Sequence, residues 1–223
     1  MTYTRGYRIA TDIGGTFTDT VLVDAHSRIL STAKTPTTPE APALGALEGA
    51  RRVLHDAAVD WSQLSGKIHG TTLATNALIE RRGARVATIT TEGFRDILEI
   101  AYERRYSQYA INLVKPDLIV PRERTMTIGG RMGARGCELV PLDEPAVDAL
   151  ADALQDASTE AVAVCLLHAY ANPAHELRLR ELLAARLPDL VISLSHEVSP
   201  EAREFDRLCT TVANAYVQPL MAS

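Results

Sequence analysis

Asp12-Ile13-Gly14-Gly15-Thr16-Phe17-Thr18-Asp19 joins two β-prone runs, Tyr7 to Ile13 and Asp19 to Val23. Paired glycines permit the backbone angles that close a tight turn and let N–H groups approach a ligand. Successive N–H groups in such a turn make a concave anion site suited to phosphate. Thr16 and Thr18 add hydroxyl donors. Asp12 ends the first run, where a carboxylate can hold the water shell of Mg²⁺ or orient a nucleophile. The plainer alternative is a hairpin turn with no ligand. Neither G-x-x-x-x-G-K-[ST] nor G-x-G-x-x-G occurs, so this is not a P-loop or a dinucleotide fingerprint.

Outward from this turn, Ile29 to Ala33 supplies a third strand after the turn residues Asp24 to Ser27, giving a three-stranded antiparallel meander. Pro36, Pro39 and Pro42 end the strand pattern. Ala43 to Ala58 then carries a helical apolar stripe. Lys67 to Gly70 reads as a short strand and Leu73 to Arg82 as a helix, with Thr72 as its cap and Gly83 as a left-handed stop. Val86 to Thr90 is a buried-type strand and Phe94 to Ala101 a short helix. This order predicts an α/β fold with a mixed sheet flanked by helices.

Tyr102 to Pro145 reads as a partly irregular insertion, rich in arginine and glycine. Thr125 to Ile128 and Glu138 to Val140 are expected to pair as a hairpin, and Arg104 and Arg105 to form a solvated or interface face. Regular alternation then returns. Helices are expected at Glu144 to Asp156 and Ala174 to Leu187, and strands at Ala161 to Leu167 and Val191 to Leu194. A last helix is expected from near Pro200 toward Val217.

Composition narrows the class. The 223 residues are 46% hydrophobic and 23% charged, enough apolar content to bury a core. A net charge of −5 argues against nonspecific nucleic-acid binding. Cys137, Cys165 and Cys209 are odd in number and far apart, without metal-ligand spacing, so a reduced, cytoplasmic setting is expected. Met1 to Ala10 has no signal-peptide core, and Ala161 to Leu167, the longest strongly apolar stretch, is far shorter than the ~20 residues that span a bilayer.

Asp-x-Gly-Gly-Thr after a first strand resembles the phosphate hairpin of the sugar-kinase, actin and heat-shock ATPase superfamily, whose halves share a ribonuclease-H-like fold and close over one nucleotide. A second Asp-Gly-Gly-Thr is absent. The segments His69-Gly70-Thr71-Thr72-Leu73-Ala74-Thr75-Asn76, Thr90-Thr91-Glu92-Gly93-Phe94-Arg95-Asp96 and Val120-Pro121-Arg122 resemble the hydantoinase A/5-oxoprolinase/acetone carboxylase family. Val162 to Leu167 and Asn172-Pro173-Ala174-His175-Glu176 continue the likeness in order. Asn214-Ala215-Tyr216-Val217 with Pro219 falls where that family's next domain begins. The resemblance implies an N-terminal domain over 1–199 and the truncated start of the following hydantoinase A domain over 200–223.

What the resemblance implies chemically is an ATP-dependent cyclic-amide hydrolase, with ATP and Mg²⁺ as cofactors and a hydantoinase B-type subunit or domain as partner. The rest of the hydantoinase A domain would complete the site, so the chain alone is expected to be inactive. The alternatives are a subunit of an ATP-dependent ketone carboxylase and a non-catalytic half-site module. In these readings Asp12 is catalytic and holds Mg²⁺ through water, and Gly14, Gly15, Thr16 and Thr18 bind phosphate.

On the substrate side, His69, Thr71 and Thr72 stand at a strand end, where open α/β sheets gather ligands. They can equally be a structural histidine and helix-capping threonines. Asn76 either bonds substrate or ties down a loop. Arg95 either holds a carboxylate or phosphate bidentately or contacts Asp96 at a helix end. His175-Glu176 and His196-Glu197 do not extend to H-E-x-x-H, which argues against zinc. Cys165, in an apolar strand, reads as inert core.

Overall fold

The computed structural model describes residues 6–38, 41–102, 109–112 and 114–222. It divides into two compact units, Met1–Glu80 and Arg81–Ser223.

The first unit is built on the predicted meander. Strands β1 (Tyr7–Ile13), β2 (Phe17–Val23) and β3 (Ile29–Pro36) run antiparallel, with Asp12 opposite Asp19 and Thr18 opposite both Ile13 and Thr35. Helix α1 (Pro42–Asp56) leads to β4 (Leu64–Thr71), which returns parallel to β1 and pairs Asp12 with Gly70. Helix α2 (Leu73–Ile79) follows. The order β3-β2-β1-β4, with only β2 reversed, is that of a ribonuclease-H-like half.

One face of this sheet is covered by α1, whose Ala50, Val53 and Leu54 bury Ile9 and Leu22. The approach is close because α1 carries glycine where it crosses the strands. A Cβ on Gly49 would lie 2.4 Å from Thr20 Oγ1, and one on Gly45 would lie 3.1 Å from the Pro36 carbonyl.

In the second unit, β5 (Val86–Thr91), β6 (Thr125–Ile128), β9 (Ala161–Cys165) and β10 (Val191–Leu194) form a wholly parallel sheet in the order β10-β9-β5-β6. Every residue of β5 and β9 is buried, as strands covered on both faces require. Helices α4 (Val147–Asp156) and α5 (Ala174–Arg186) pack Leu150, Leu154, Leu179 and Leu183 against Ile89, Val162 and Val164. Helix α7 (Glu204–Ala222) packs against β9, β10 and β5. Alternation along β9 turns the small Ala161 and Ala163 and Cys165 to the face opposite Val162 and Val164. The short helices α3 (Ile97–Ile100) and α6 (Ser195–Val198) and the ribbon β7 (Arg131–Met132) with β8 (Glu138–Val140) complete the unit.

The fold class is as expected, and several local expectations are corrected. Thr125 to Ile128 does not pair with Glu138 to Val140: it joins the parallel sheet beside β5, and Glu138 to Val140 pairs with Arg131 and Met132. Gly83 is not a left-handed stop. Arg81 takes the positive φ of 57°, and Gly83 is required because a Cβ there would sit 2.3 Å from the Tyr216 ring. The helix expected over Phe94 to Ala101 is only Ile97–Ile100, and the last helix begins at Glu204 rather than near Pro200. Arg104 and Arg105 lie outside the described residues.

Candidate functional site

The residues singled out around Asp12 come together in the first unit. Asp12, Asp19 and Gly70 are neighbours in register and share one sheet face, the one opposite α1. Asp12 is exposed, and a Cβ on Gly70 would lie 3.6 Å from its Oδ1, so glycine leaves room in front of the carboxylate. Asp19 is paired with Lys34 at 3.3 Å on the same face.

The turn itself is tightly made. The Gly14 N–H donates to the Phe17 carbonyl at 3.0 Å, so it closes the hairpin and is not a free anion donor. Gly15 and Thr16 are exposed at the tip. A Cβ on Gly15 would come within 2.9 Å of Asn76 Nδ2, which places the first turns of α2 beside the hairpin. Asn76 Nδ2 also donates to Thr72 Oγ1 at 3.3 Å.

Thr18 departs from expectation. Its side chain is fully buried under the hairpin, 3.0 Å from Thr37 Oγ1, while Thr35 Oγ1 donates to its carbonyl at 3.3 Å. It supports the turn from beneath and presents no hydroxyl at the exposed tip. Thr37, which no motif marks, completes the turn: its hydroxyl donates to the Gly14 carbonyl at 2.9 Å and its N–H donates to the Thr16 carbonyl at 3.0 Å. The only available signal was its place in the run Thr35-Pro36-Thr37-Thr38-Pro39.

The strand-end trio is split. His69 pairs with Thr11, and this pair alternates with Asp12 and Gly70, so His69 projects from the opposite face of the sheet. It is exposed there and does not join Asp12. Thr71 Oγ1 donates to the Ile13 carbonyl at 3.3 Å and accepts from the Leu73 N–H at 3.2 Å. Of the two threonines open to a capping role, Thr71 supplies the side-chain acceptor at the start of α2 and Thr72 does not.

Arg95 belongs to the second unit. Its Nε donates to the Thr125 carbonyl at 2.9 Å, and Arg122, not Arg95, pairs with Asp96. Arg95 thus braces the entry to β6 with its guanidinium. Hydrogen bonding from Arg122 holds the Asp96 carboxyl below its ordinary value.

The histidines of the two His-Glu dipeptides each face a carboxylate. His175 Nε2 lies 2.7 Å from Glu138 Oε1, and His196 Nδ1 lies 2.7 Å from Glu176 Oε2. Among the described residues no cluster of three or more His, Cys, Asp or Glu is arranged to hold a metal ion. No described helix is long and apolar enough to cross a membrane. Burial pushes the Cys165 thiol up to about 12, so it is an unreactive core group.

Comparison with known proteins decides the ancestry. Residues 8–187 match the family described as the hydantoinase/oxoprolinase N-terminal region. The chain belongs to that family. This hydantoinase/oxoprolinase N-terminal region is 36% identical over 221 residues to the caprolactamase subunit alpha of Pseudomonas jessenii, covering 96% of this chain and 32% of that protein. It superposes on the crystal structure of the ATP-dependent caprolactamase from that organism with a TM-score of 0.83, at 35% identity, over 96% of this chain and 32% of that one. It is 32% identical over 228 residues to the acetophenone carboxylase gamma subunit of Aromatoleum aromaticum, covering 94% of this chain and 31% of that protein. The nucleotide-free acetone carboxylase structure shares the fold with a TM-score of 0.88 at 24% identity, over 97% of this chain and 33% of that one. The hydantoinase/oxoprolinase N-terminal region thus spans about a third of the length of these relatives.

Proposed function

We propose that this chain supplies one half of a Mg-ATP site in an enzyme that activates a neutral carbonyl compound by phosphorylating its oxygen. The observation that carries this reading is the placement of the exposed Asp12 carboxylate over Gly70, beside the exposed Gly15–Thr16 tip. Backbone N–H groups in a tight turn suit phosphate, and a hard carboxylate oxygen with open space before it suits Mg²⁺. Asp12 would hold the ion through its water shell, and bound Mg²⁺ would neutralise phosphate charge.

The chemistry follows from what an amide lacks. A neutral amide carbonyl is a poor electrophile. Transferring the terminal phosphoryl group of ATP to the amide oxygen, with release of ADP, gives an electrophilic imidate phosphate. Water adds to its carbon, the ring C–N bond breaks as the nitrogen takes a proton, and the resulting acyl phosphate is hydrolysed to a carboxylate and phosphate. In phosphoryl transfer of this kind the protein contributes positioning and charge neutralisation. On this reading the Gly15–Thr16 backbone orients the phosphates and Asp12 sets the nucleophile or the metal water. The substrate class is a cyclic amide, favoured by the likeness to a caprolactamase alpha subunit. The likeness to an acetophenone carboxylase gamma subunit supports a second reading, in which a ketone enol is phosphorylated before carboxylation. In either case the rest of the A-type polypeptide completes the machinery, because the chain covers about a third of those relatives, and a B-type subunit is the expected partner, since both relatives are themselves named as subunits.

The test is calorimetric titration of Mg-ATP into the full A-type polypeptide that completes the site, with Asp12→Ala and Gly15→Val as controls. Binding that both substitutions abolish is expected. Binding that survives both would overturn the assignment. ATP turnover stimulated by a lactam but not by a ketone separates the two substrate classes.

A further inference from the structure

We infer that Thr37 aims the phosphate-binding turn, an assignment that rests on the nucleotide reading above. Thr37 grips the turn twice. Its N–H donates to the Thr16 carbonyl at 3.0 Å and its Oγ1 donates to the Gly14 carbonyl at 2.9 Å. A trans peptide unit is planar, with its C=O and N–H pointing in opposite directions. Turning the Gly14 carbonyl inward to Thr37 therefore turns the Gly15 N–H of the same peptide unit away from Thr37. The Gly14 N–H is committed to the Phe17 carbonyl at 3.0 Å, so it does not compete for the same ligand.

Thr18 belongs to the same device. Because the Thr37 hydroxyl proton is committed to Gly14, Thr18 Oγ1 is the donor in the 3.0 Å contact between the two hydroxyls. Thr35, also buried, bonds the carbonyls of Thr18 and Gly45 through its hydroxyl at 3.3 and 3.1 Å. A chain of three threonines thus runs from α1, through the buried side of the hairpin, to the peptide that carries the Gly15 N–H. A shift of that peptide plane would re-aim the donor without altering any apolar contact. Thr37 is therefore a positioning residue, acting through Gly15.

The experiment compares Thr37→Val, which keeps the N–H and the shape but removes the hydroxyl, with Thr37→Ser, which keeps the hydroxyl. Mg-ATP is titrated into the full A-type polypeptide, labelled with ¹⁵N-glycine, while the Gly15 amide resonance is followed. Loss of one hydrogen bond predicts that Thr37→Val weakens Mg-ATP about fivefold to tenfold. The nucleotide-induced shift of the Gly15 amide should shrink with it, and Thr37→Ser should restore both. Thr37→Val binding as wild type, while Gly15→Val does not, would overturn this assignment and leave the nucleotide reading standing. Equal weakening by Thr37→Val and Thr37→Ser would overturn it too, since shape and not the hydroxyl would then be at work. Absence of Mg-ATP binding by the wild-type full A-type polypeptide at millimolar nucleotide would overturn both readings.

Discussion

Glu176 and Arg207, both fully buried, meet through the hydroxyl of Ser195, which donates to Glu176 Oε1 at 2.6 Å and accepts from Arg207 Nε at 3.0 Å. Both charges also hold the turn that follows β9: Glu176 accepts from the Leu166 N–H at 2.9 Å, and Arg207 donates to the Leu166 carbonyl at 3.0 Å. Two helices, α5 and α7, are thereby tied to the carboxyl end of one central strand. Removing Glu176 leaves the buried Arg207 with Glu204 at 3.7 Å, and removing Arg207 leaves the buried Glu176 with His196 at 2.7 Å, so each loses the opposite charge it meets through Ser195. Glu176→Leu and Arg207→Met are each expected to lower stability by about 3 kcal/mol. The double variant should lose less than the sum of the two, as measured by denaturant unfolding.

The close seat of α1 on the first sheet depends on Gly49. A Cβ there would meet Thr20 Oγ1 at 2.4 Å, well inside contact distance. Gly49→Ala should raise the intrinsic helix preference and still destabilise the chain, by about 1 to 3 kcal/mol. A melting temperature equal to or above wild type would show that α1 can shift at no cost. Gly49→Ala combined with Thr20→Ser is expected to keep most of the loss, because Thr20 Oγ1 itself is the first atom met.

Thiol reactivity should follow burial. Cys137 is exposed, Cys209 is partly buried with its thiol raised by burial, and the Cys165 thiol is pushed up to about 12. A maleimide at about pH 8 is expected to label Cys137 first and Cys165 only after unfolding. Peptide mapping of a time course checks the order. Early labelling of Cys165 would contradict the packing of β9.

Asp96 gives a pH signature. Its folded value lies below that of the unfolded chain, chiefly because Arg122 donates to it. The pair therefore contributes fully above the ordinary carboxylate value of about 4, and the contribution is lost as pH falls through the lower folded value. Asp96→Asn should be less stable than wild type at neutral pH and indistinguishable from it in strong acid. The difference is small because both side chains are exposed to solvent. Melting curves of the two proteins across the acid range test the sign.

Much of the fold was legible because it is written locally. Tyr7–Ile13 and Val191–Leu194 emerge in the structure with the bounds their residues predict, since apolar runs closed by turn chemistry are short-range signals. The mispaired segments were not legible for the opposite reason. Thr125 to Ile128 and Glu138 to Val140 are near in sequence, yet Thr125 to Ile128 pairs with β5, and Glu138 to Val140 with two residues just before it. Short strands carry too little pattern to name their own partners. In the candidate site, Asp12 and the Gly14–Thr16 turn were legible as a spacing. The separation of His69 from Asp12 was not, because a one-residue step in a parallel register moves a side chain to the other face of the sheet.

The sequence by itself determined the family, the α/β class, the antiparallel meander and the turn that carries the candidate phosphate site. Each of these rests on contiguous residues or on motifs in fixed order. Only the tertiary structure decided that the chain forms two units with separate sheets, that Thr18 is buried and Thr37 holds the turn, and that Arg95 braces β6. These depend on which strands pair and on which face each side chain leaves. Both are settled by the packing of distant segments, where a hydroxyl or a guanidinium takes the partner that burial brings within reach.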